Sequence, residues 1–322
     1  MHVVCGAGGF VGGHLVAELR RRGEGPIRAV DRKPRDQWFQ RFDDVENARA
    51  DLREADACRD VCRGARRLYN LAADMGGMGF IQHNRAACML NVLINTHLLL
   101  AAREAGVERY FFASSACVYP QERQSSTRVV ALREAQAYPA DPEDGYGWEK
   151  LFAERMCRHF QEDFGLPVRV ARFHNTYGTH CAWHGGREKA PAAICRKVIE
   201  AVHTGSGQIE VWGDGSQLRS YTWIDDTIEG VLRLMEADAS EPVNVGTTEL
   251  VSVDDLVGMV EEIGGVTLAR RYRPDAPRGV VGRNSDNTRM REITGGWEPR
   301  TPLRSGLART YAWIEGEYKA WR

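Results

Sequence analysis

His2-Val3-Val4-Cys5-Gly6-Ala7-Gly8-Gly9-Phe10-Val11-Gly12 opens the chain, and its reading decides the fold. The apolar run from His2 to Cys5 reads as a short buried strand. Val11, Leu15, Val16 and Leu19 then recur at helical spacing. Between them stand Gly6, Gly9 and Gly12. Glycine lets the backbone turn tightly and come close to a pyrophosphate, which then sits on the positive helix N-terminus. Ile27 to Val30 is a second strand, closed by Asp31, nineteen residues past Gly12. A carboxylate there can bind the diol of an adenosine ribose, so the unit reads as dinucleotide-binding rather than as a bare turn. Asp31 repels a 2'-phosphate and favours NAD over NADP, whereas Arg32 and Lys33 pull the other way.

Working outward, Arg66 to Ala72, Arg109 to Ser114 and Val168 to Phe173 read as further strands, and Asn84 to Gly106 as one long helix. Strands alternating with helices at this spacing imply an α/β fold, a doubly wound parallel Rossmann sheet, with a smaller C-terminal α/β substrate domain. The division expected is 1–176 plus about 219–248 for the cofactor domain, and about 177–218 plus 249–322 for the substrate domain. Helices are expected at about Ala190 to His203, 251–264 and 303–320, with a strand at Ile209 to Trp212.

The 322 residues are 43% hydrophobic and 27% charged, enough to bury a core. Lys plus Arg (43) nearly balances Asp plus Glu (44), which argues against non-specific nucleic-acid binding. The apolar stretch from Ala87 to Ala102 is interrupted by Asn91, Asn95, Thr96 and His97 and reads as short of a membrane span. A soluble, cytoplasmic protein with no membrane partner is expected. The eight cysteines are scattered without the density of a disulfide scaffold. His180, Cys181 and His184 are the one metal-like cluster; a polar loop is the preferred reading, and no metal is expected.

Tyr146-Gly147-Trp148-Glu149-Lys150 sets a phenol and an ammonium four apart, on one face if the segment is helical. A nearby lysine cation makes a phenol more acidic, so Tyr146 can take a proton from an alcohol whose carbon gives up hydride. Ser115, about thirty residues upstream at a strand end, can support the same hydroxyl.

This order of elements, with Asn70-Leu71-Ala72-Ala73, resembles the extended short-chain dehydrogenase/reductase family over essentially the whole chain. Six further segments resemble one branch of it, the GDP-mannose 3,5-epimerases. They are Asp74 to Gln82, Ser114 to Pro120, Arg172 to Asn175, Gly185 to Pro191, Trp212 to Gly215 with Gln217 and Arg219, and Gly282 to Asn287. The resemblance implies tightly bound NAD, held by Gly6, Gly9, Phe10, Val11, Gly12, Asp31, Asp51, Leu52, Ala72, Tyr146 and Lys150. It implies a GDP-hexose substrate held by Gly76, Ser115, Ala116, Cys117, Asn175, Glu188, Lys189, Ala190, Lys197, Gln217, Arg219 and Arg283. Arg219 and Arg283 would bind phosphate, and a homodimer would form through the Asn84–Gly106 helix and the helix carrying Tyr146.

The resemblance also assigns catalysis to Tyr146, Lys150, Ser115, Cys117 and Lys189. Transient oxidation at C4 of the hexose acidifies the hydrogens on C3 and C5. Inverting either carbon then needs a base on one face and an acid on the other. Cys117 and Lys189 would be that pair. By themselves they read as a small buried residue and a solvated lysine; for Arg219 a surface arginine is only the alternative to a phosphate ligand. Val281 stands where the branch carries arginine, Thr179 where proline is usual, His184 where lysine is common, and Trp148 in place of a smaller apolar residue. A 4-epimerase needs neither Cys117 nor Lys189 and is the alternative. A 4,6-dehydratase carries an Asp-Glu pair where Ala116 and Cys117 stand. An NAD(H)-binding regulatory protein would have lost Ser115, Tyr146 and Lys150.

Overall fold

The computed structural model describes residues 1–277 and 279–322. Its centre is a sheet of seven parallel strands, β1 (His2–Cys5), β2 (Ile27–Asp31), β3 (Glu46–Arg49), β4 (Arg67–Asn70), β5 (Arg109–Ser115), β6 (Val168–Phe173) and β7 (Val243–Val245). Their order is β7-β6-β5-β4-β1-β2-β3, all in parallel register. The chain moves outward from β1 to β3, then returns to the other side of β1. That reversal opens a crevice at the carboxyl ends of β1 and β4, where ligands of doubly wound sheets bind.

Eleven α-helices lie among the described residues. They are α1 (Phe10–Arg21), α2 (Ala55–Cys62), α3 (Met78–His83), α4 (Arg85–Met89), α5 (Asn91–Glu104), α6 (Asp144–Phe164), α7 (Ala190–Thr204), α8 (Ile224–Glu236), α9 (Val253–Gly264), α10 (Thr288–Ile293) and α11 (Leu303–Trp321). Side chains of α2, α5 and α6 form one buried layer with Val3, Leu68, Tyr110 and Phe112. Leu15 and Leu19 of α1 and Ile228 and Val231 of α8 pack on the opposite face with Val4, Tyr69 and Phe111. This second layer continues without a break into α7, α9 and α11, so the smaller C-terminal part shares the core of the large one. Around it lie short strands: Leu218–Ser220 between Leu250–Ser252 and Gly282–Arg283, and Gln208–Trp212 beside Ala269–Arg273.

The single helix expected over Asn84 to Gly106 is instead two helices, α4 and α5, divided by a one-residue turn at Leu90, and the short helix α3 before them was not expected. Asn84 leaves helical geometry, and its side-chain amide donates to the Phe80 carbonyl, ending α3. Arg85 to Glu104 then runs on with a turn at Leu90. By length and composition this run, of mean hydropathy 1.3, is long and apolar enough to cross a membrane, unlike the shorter stretch read from the sequence. Here Ile94, Leu98, Leu99, Ala101 and Ala102 are buried under the sheet. Met89, Leu90, Leu93 and Leu100 face outward beside Trp148, Phe152 and Phe164 of α6, all exposed. β3 and β7 were not expected, one being polar and half exposed, the other three residues long.

Candidate active site

The glycine turn forms one wall of a cavity of about 510 Å³ at the β1/β4 crevice. Gly6 has a φ of +84°, and a Cβ on Gly12 would stand 2.1 Å from the Gly6 carbonyl oxygen, so the start of α1 lies directly on the turn. Gly9 caps α1 without a side-chain acceptor, leaving the first-turn N–H groups to face the cavity. This is a cradle for a pyrophosphate, and a larger residue at Gly12 would force α1 away from the turn that forms it. Asp31 accepts hydrogen bonds from the Gly8 and Lys33 amides at 3.1 and 2.9 Å, which aims its carboxylate along the cavity wall. The nearby cations are engaged: Arg32 on Asp74 at 3.1 Å, Lys33 Nζ on the Gly8 carbonyl at 2.6 Å, and Arg53 on Asp51. That Arg53 bond holds the Asp51 carboxyl down at about 2. With the Asp31 carboxylate held in place by these two amides on the cavity wall, where its remaining lone pairs can meet a ribose diol, the cavity fits NAD. Phe10, Val11, Leu52 and Ala72 complete its lining.

A second cavity of about 350 Å³ shares Val11, Leu71, Ala73, Met75, Gly76, Thr176 and Lys189 with the first. Ser115, Cys117, Tyr146, Lys150 and Asn175 line it, as do Glu188, Ala190, Lys197, Gln217, Arg219 and Arg283. The segment carrying Tyr146 and Lys150 is helical, as their spacing requires, and Lys150 Nζ lies 5.6 Å from the Tyr146 ring centre. Burial pushes the Tyr146 phenol well up, and the neighbouring Cys117 and Glu149 add to the rise; the Ser115 hydroxyl works against this. Ser115 Oγ also accepts from the Cys117 amide at 3.1 Å, fixing the short turn that presents the thiol.

Burial raises the Cys117 thiol, and the Arg283 charge opposes the rise. Arg283 donates to Gln124 Oε1 at 2.5 Å, to Cys117 Sγ at 3.6 Å and to Glu143 Oε2 at 2.7 Å. The Glu143 amide in turn donates to the Cys117 carbonyl at 2.9 Å. Lys189 stands at the N-cap of α7, on the wall common to both cavities. Burial lowers its ammonium, resisted by the Cys117 and Cys181 thiols. A thiol and an ammonium of converging acidity therefore face one space, as proton transfer at carbon requires.

The diphosphate residues expected from the resemblance are held differently from one another. Arg219 is part-buried; its guanidinium donates to the Leu218 carbonyl at 2.8 Å and to those of Val280 and Val281, and burial lowers it to about 10. Lys197 donates to the Glu210 carbonyl at 2.9 Å. Gln217 is buried with neither amide atom bonded, a polar group aimed into the cavity. Arg283 is turned to Cys117 and Glu143, so its charge acts on the thiol. Ala116 lines neither cavity; its methyl packs with Val118, Tyr119 and Leu132.

The loop 74–78 closes on 186–189. The Gly77 amide donates to the Arg187 carbonyl at 3.0 Å, and a Cβ on Gly77 would lie 2.3 Å from the Glu188 carbonyl oxygen. Arg187 pairs with Asp74 at 2.8 Å across the seam. Sequence reasoning gave no role to Arg187, Glu143 or Gln124. Glu143 and Gln124 lie 140 and 159 residues from Arg283 along the chain, beyond the reach of any local pattern. His180, Cys181 and His184 turn to separate partners, His180 to Trp313, Cys181 to the Gly178 carbonyl and His184 to Trp183. Trp148 points outward from α6.

A crevice with a pyrophosphate cradle, opening into a cavity with a Ser-Tyr-Lys set, defines a Rossmann-fold enzyme that uses NAD on a polar substrate. Residues 2–246 match the NAD dependent epimerase/dehydratase family. GDP-mannose 3,5-epimerase 1 of Oryza sativa subsp. japonica is 46% identical over 97% of this chain and 81% of its own length. GDP-mannose 3,5-epimerase of Arabidopsis thaliana is 45% identical over the same shares. Among solved structures, MoeE5 in complex with UDP-glucose and NAD superposes with a TM-score of 0.80 at 28% identity, covering 98% of this chain and 99% of the other. UDP-glucose 4-epimerase of Thermotoga maritima shares the fold, with a TM-score of 0.88 at 23% identity over 99% of this chain and 100% of the other. The chain belongs to the NAD dependent epimerase/dehydratase family, as an enzyme of the sugar-nucleotide epimerase type.

Proposed function

We propose that the protein inverts C5, C3 or both of a GDP-hexose, with GDP-mannose as substrate. One observation carries the reading: Cys117 and Lys189 line the same cavity as Ser115, Tyr146 and Lys150. The names of the rice and Arabidopsis relatives support the substrate. NAD, when bound, supplies reversible hydride acceptance at C4. Tyr146 takes the C4 hydroxyl proton, helped by the Lys150 ammonium, while Ser115 orients that hydroxyl. With C4 a ketone, Cys117 and Lys189 exchange a proton with the adjacent carbon from opposite faces, and Arg283 stabilises the thiolate form of Cys117. Tyr146 then returns its proton to the C4 oxygen as hydride acceptance at the C4 carbon is reversed.

The test is incubation with GDP-mannose in heavy water, followed by NMR of the sugar. Deuterium at C5 or C3 with inverted configuration supports the reading. Inversion at C4 with no deuterium on carbon would replace it with a 4-epimerase.

The outward apolar face of α4, α5 and α6 supports a homodimer in which these helices meet their copies. Met89, Leu90, Leu93, Trp148 and Phe152 make an exposed patch of a kind that marks an interface. A cytoplasmic setting is proposed as well, supported by eight cysteines that are all buried and unpaired.

A further inference from the structure

Lys150 has a neighbour that neither the C4 step nor the carbon chemistry uses. Glu149, next to it on α6, carries a carboxylate only 1% exposed, with Oε2 3.8 Å from Lys150 Nζ. Its Oε1 accepts from Asn95 Nδ2 on α5. Asn95 Oδ1 accepts in turn from Asn70 Nδ2 at 2.8 Å, and the same amide donates to the Tyr110 hydroxyl at 2.9 Å. Oε2 receives no hydrogen bond, so the Lys150 ammonium is the cation that answers it. A buried carboxylate is costly unless it is paired and hydrogen-bonded. Here one oxygen has the anchor and the other has the ion.

We propose that Glu149 is a positioning residue: anchored by Asn95, it holds the Lys150 ammonium in register, and its negative charge tempers the pull of that ammonium on Tyr146. The inference rests on the reading of Tyr146 as the group that takes and returns the C4 proton. A phenol made too acidic would take the proton and fail to give it back, whereas this reaction needs both directions in every cycle. Lys150 favours release of the phenol proton, Glu149 favours its retention, and the pair balances the two.

The other titratable groups facing this cluster are Cys88 on α4, Tyr110 at β5, Cys117 just after β5 and Cys157 further along α6. Asp74, Asp144 and Arg187 act on Cys88 from beyond it. Burial pushes these thiols and Tyr110 upward, Cys88 to about 11, so they carry no charge in the neutral range.

Glu149→Gln keeps an oxygen for Asn95 and removes the charge. NAD-loaded protein labelled with 13C at tyrosine Cζ is titrated by NMR from neutral to alkaline pH, with Tyr146 assigned from the Tyr146→Phe spectrum. The Tyr146 curve in Glu149→Gln is expected to lie about one pH unit lower than in the wild type, the size of effect one charge has at this range. Superimposable curves overturn the inference, because a purely structural glutamate would leave the phenol unmoved. If Glu149→Gln does not fold, Glu149→Ser removes the same charge and is judged by the same criterion. No substrate enters this comparison. Failure of the catalytic reading shows separately, as turnover that survives in Tyr146→Phe.

Discussion

Arg283 sets a guanidinium nitrogen 3.6 Å from the sulfur of Cys117, inside the wall of the substrate cavity. The two residues are 166 positions apart in the chain, and the contact ties the strand Gly282–Arg283 to the turn after β5. A buried thiol is a poor base, because desolvation favours its neutral form. Arg283 counters that penalty, and Glu143 on its far side keeps the guanidinium from being an uncompensated charge.

Arg283→Met is therefore expected to slow deuterium incorporation at carbon by roughly a hundredfold, the usual cost of losing one charge-stabilising donor. It also strands Glu143, so unfolding stability should drop by about 3–5 kcal/mol. Arg283→Met with Glu143→Gln should recover much of the stability and none of the exchange rate. Denaturant titration and NMR exchange rates check both halves, and recovery of exchange in the double variant would separate Arg283 from Cys117 chemistry.

Cys117→Ala and Lys189→Ala are expected to split the reaction. Each should retain NAD and still oxidise C4 transiently, while deuterium incorporation at C3 and C5 falls by roughly 10²–10⁴-fold, the range for a lost general acid or base. Absorbance of reduced nicotinamide in rapid mixing, beside NMR of the sugar, checks this. Wild-type exchange in either variant would remove that residue from the mechanism.

Gly77→Ala tests the seam between the two loops. The added methyl would meet the Glu188 carbonyl oxygen at 2.3 Å, a backbone atom rather than the far end of a flexible side chain. The loop 186–189, and Lys189 with it, must shift. KM for GDP-mannose should rise at least several-fold with NAD content unchanged, measurable by steady-state kinetics and by the cofactor released on denaturation.

Stability should also depend on pH through His174, which is fully buried and accepts no proton until about 3. The unfolded chain binds that proton near the ordinary histidine value of about 6.5. The contribution is complete above that value and is lost as pH falls towards 3, amounting to about 2 kcal/mol at about pH 5. Urea midpoints at neutral pH and at about pH 5 give the difference, and His174→Gln should flatten it.

The sheet, the glycine turn and Tyr146/Lys150 were legible because each is a local pattern: a run of apolar residues, a fixed glycine spacing, a helical step of four. Ser115 was legible from its place at a strand end upstream of Tyr146, whereas Cys117 and Lys189 needed the resemblance, since a lone thiol or lysine carries no spacing of its own. What stayed out of reach was pairing across the fold. Arg283 reads from its motif as a phosphate ligand, yet Gln124, Glu143 and Cys117 surround it. The turn at Leu90 was hidden because its backbone stays near helical values, φ −66° and ψ −10°, within a stretch that reads as one helix. β7 escaped because three residues are too few to show alternation, and only its pairing with β6 makes it a strand.

In the proposed reaction C4 of the hexose is oxidised before its neighbours lose hydrogen, and GDP-mannose carrying deuterium at C4 reports that step. The NAD-loaded protein is mixed with this substrate, quenched within the first turnovers, and the cofactor is analysed by mass spectrometry. Deuterium on the nicotinamide in the wild type, and none in Tyr146→Phe, is the result expected. A cofactor that never acquires the label while C5 or C3 is inverted would contradict the account.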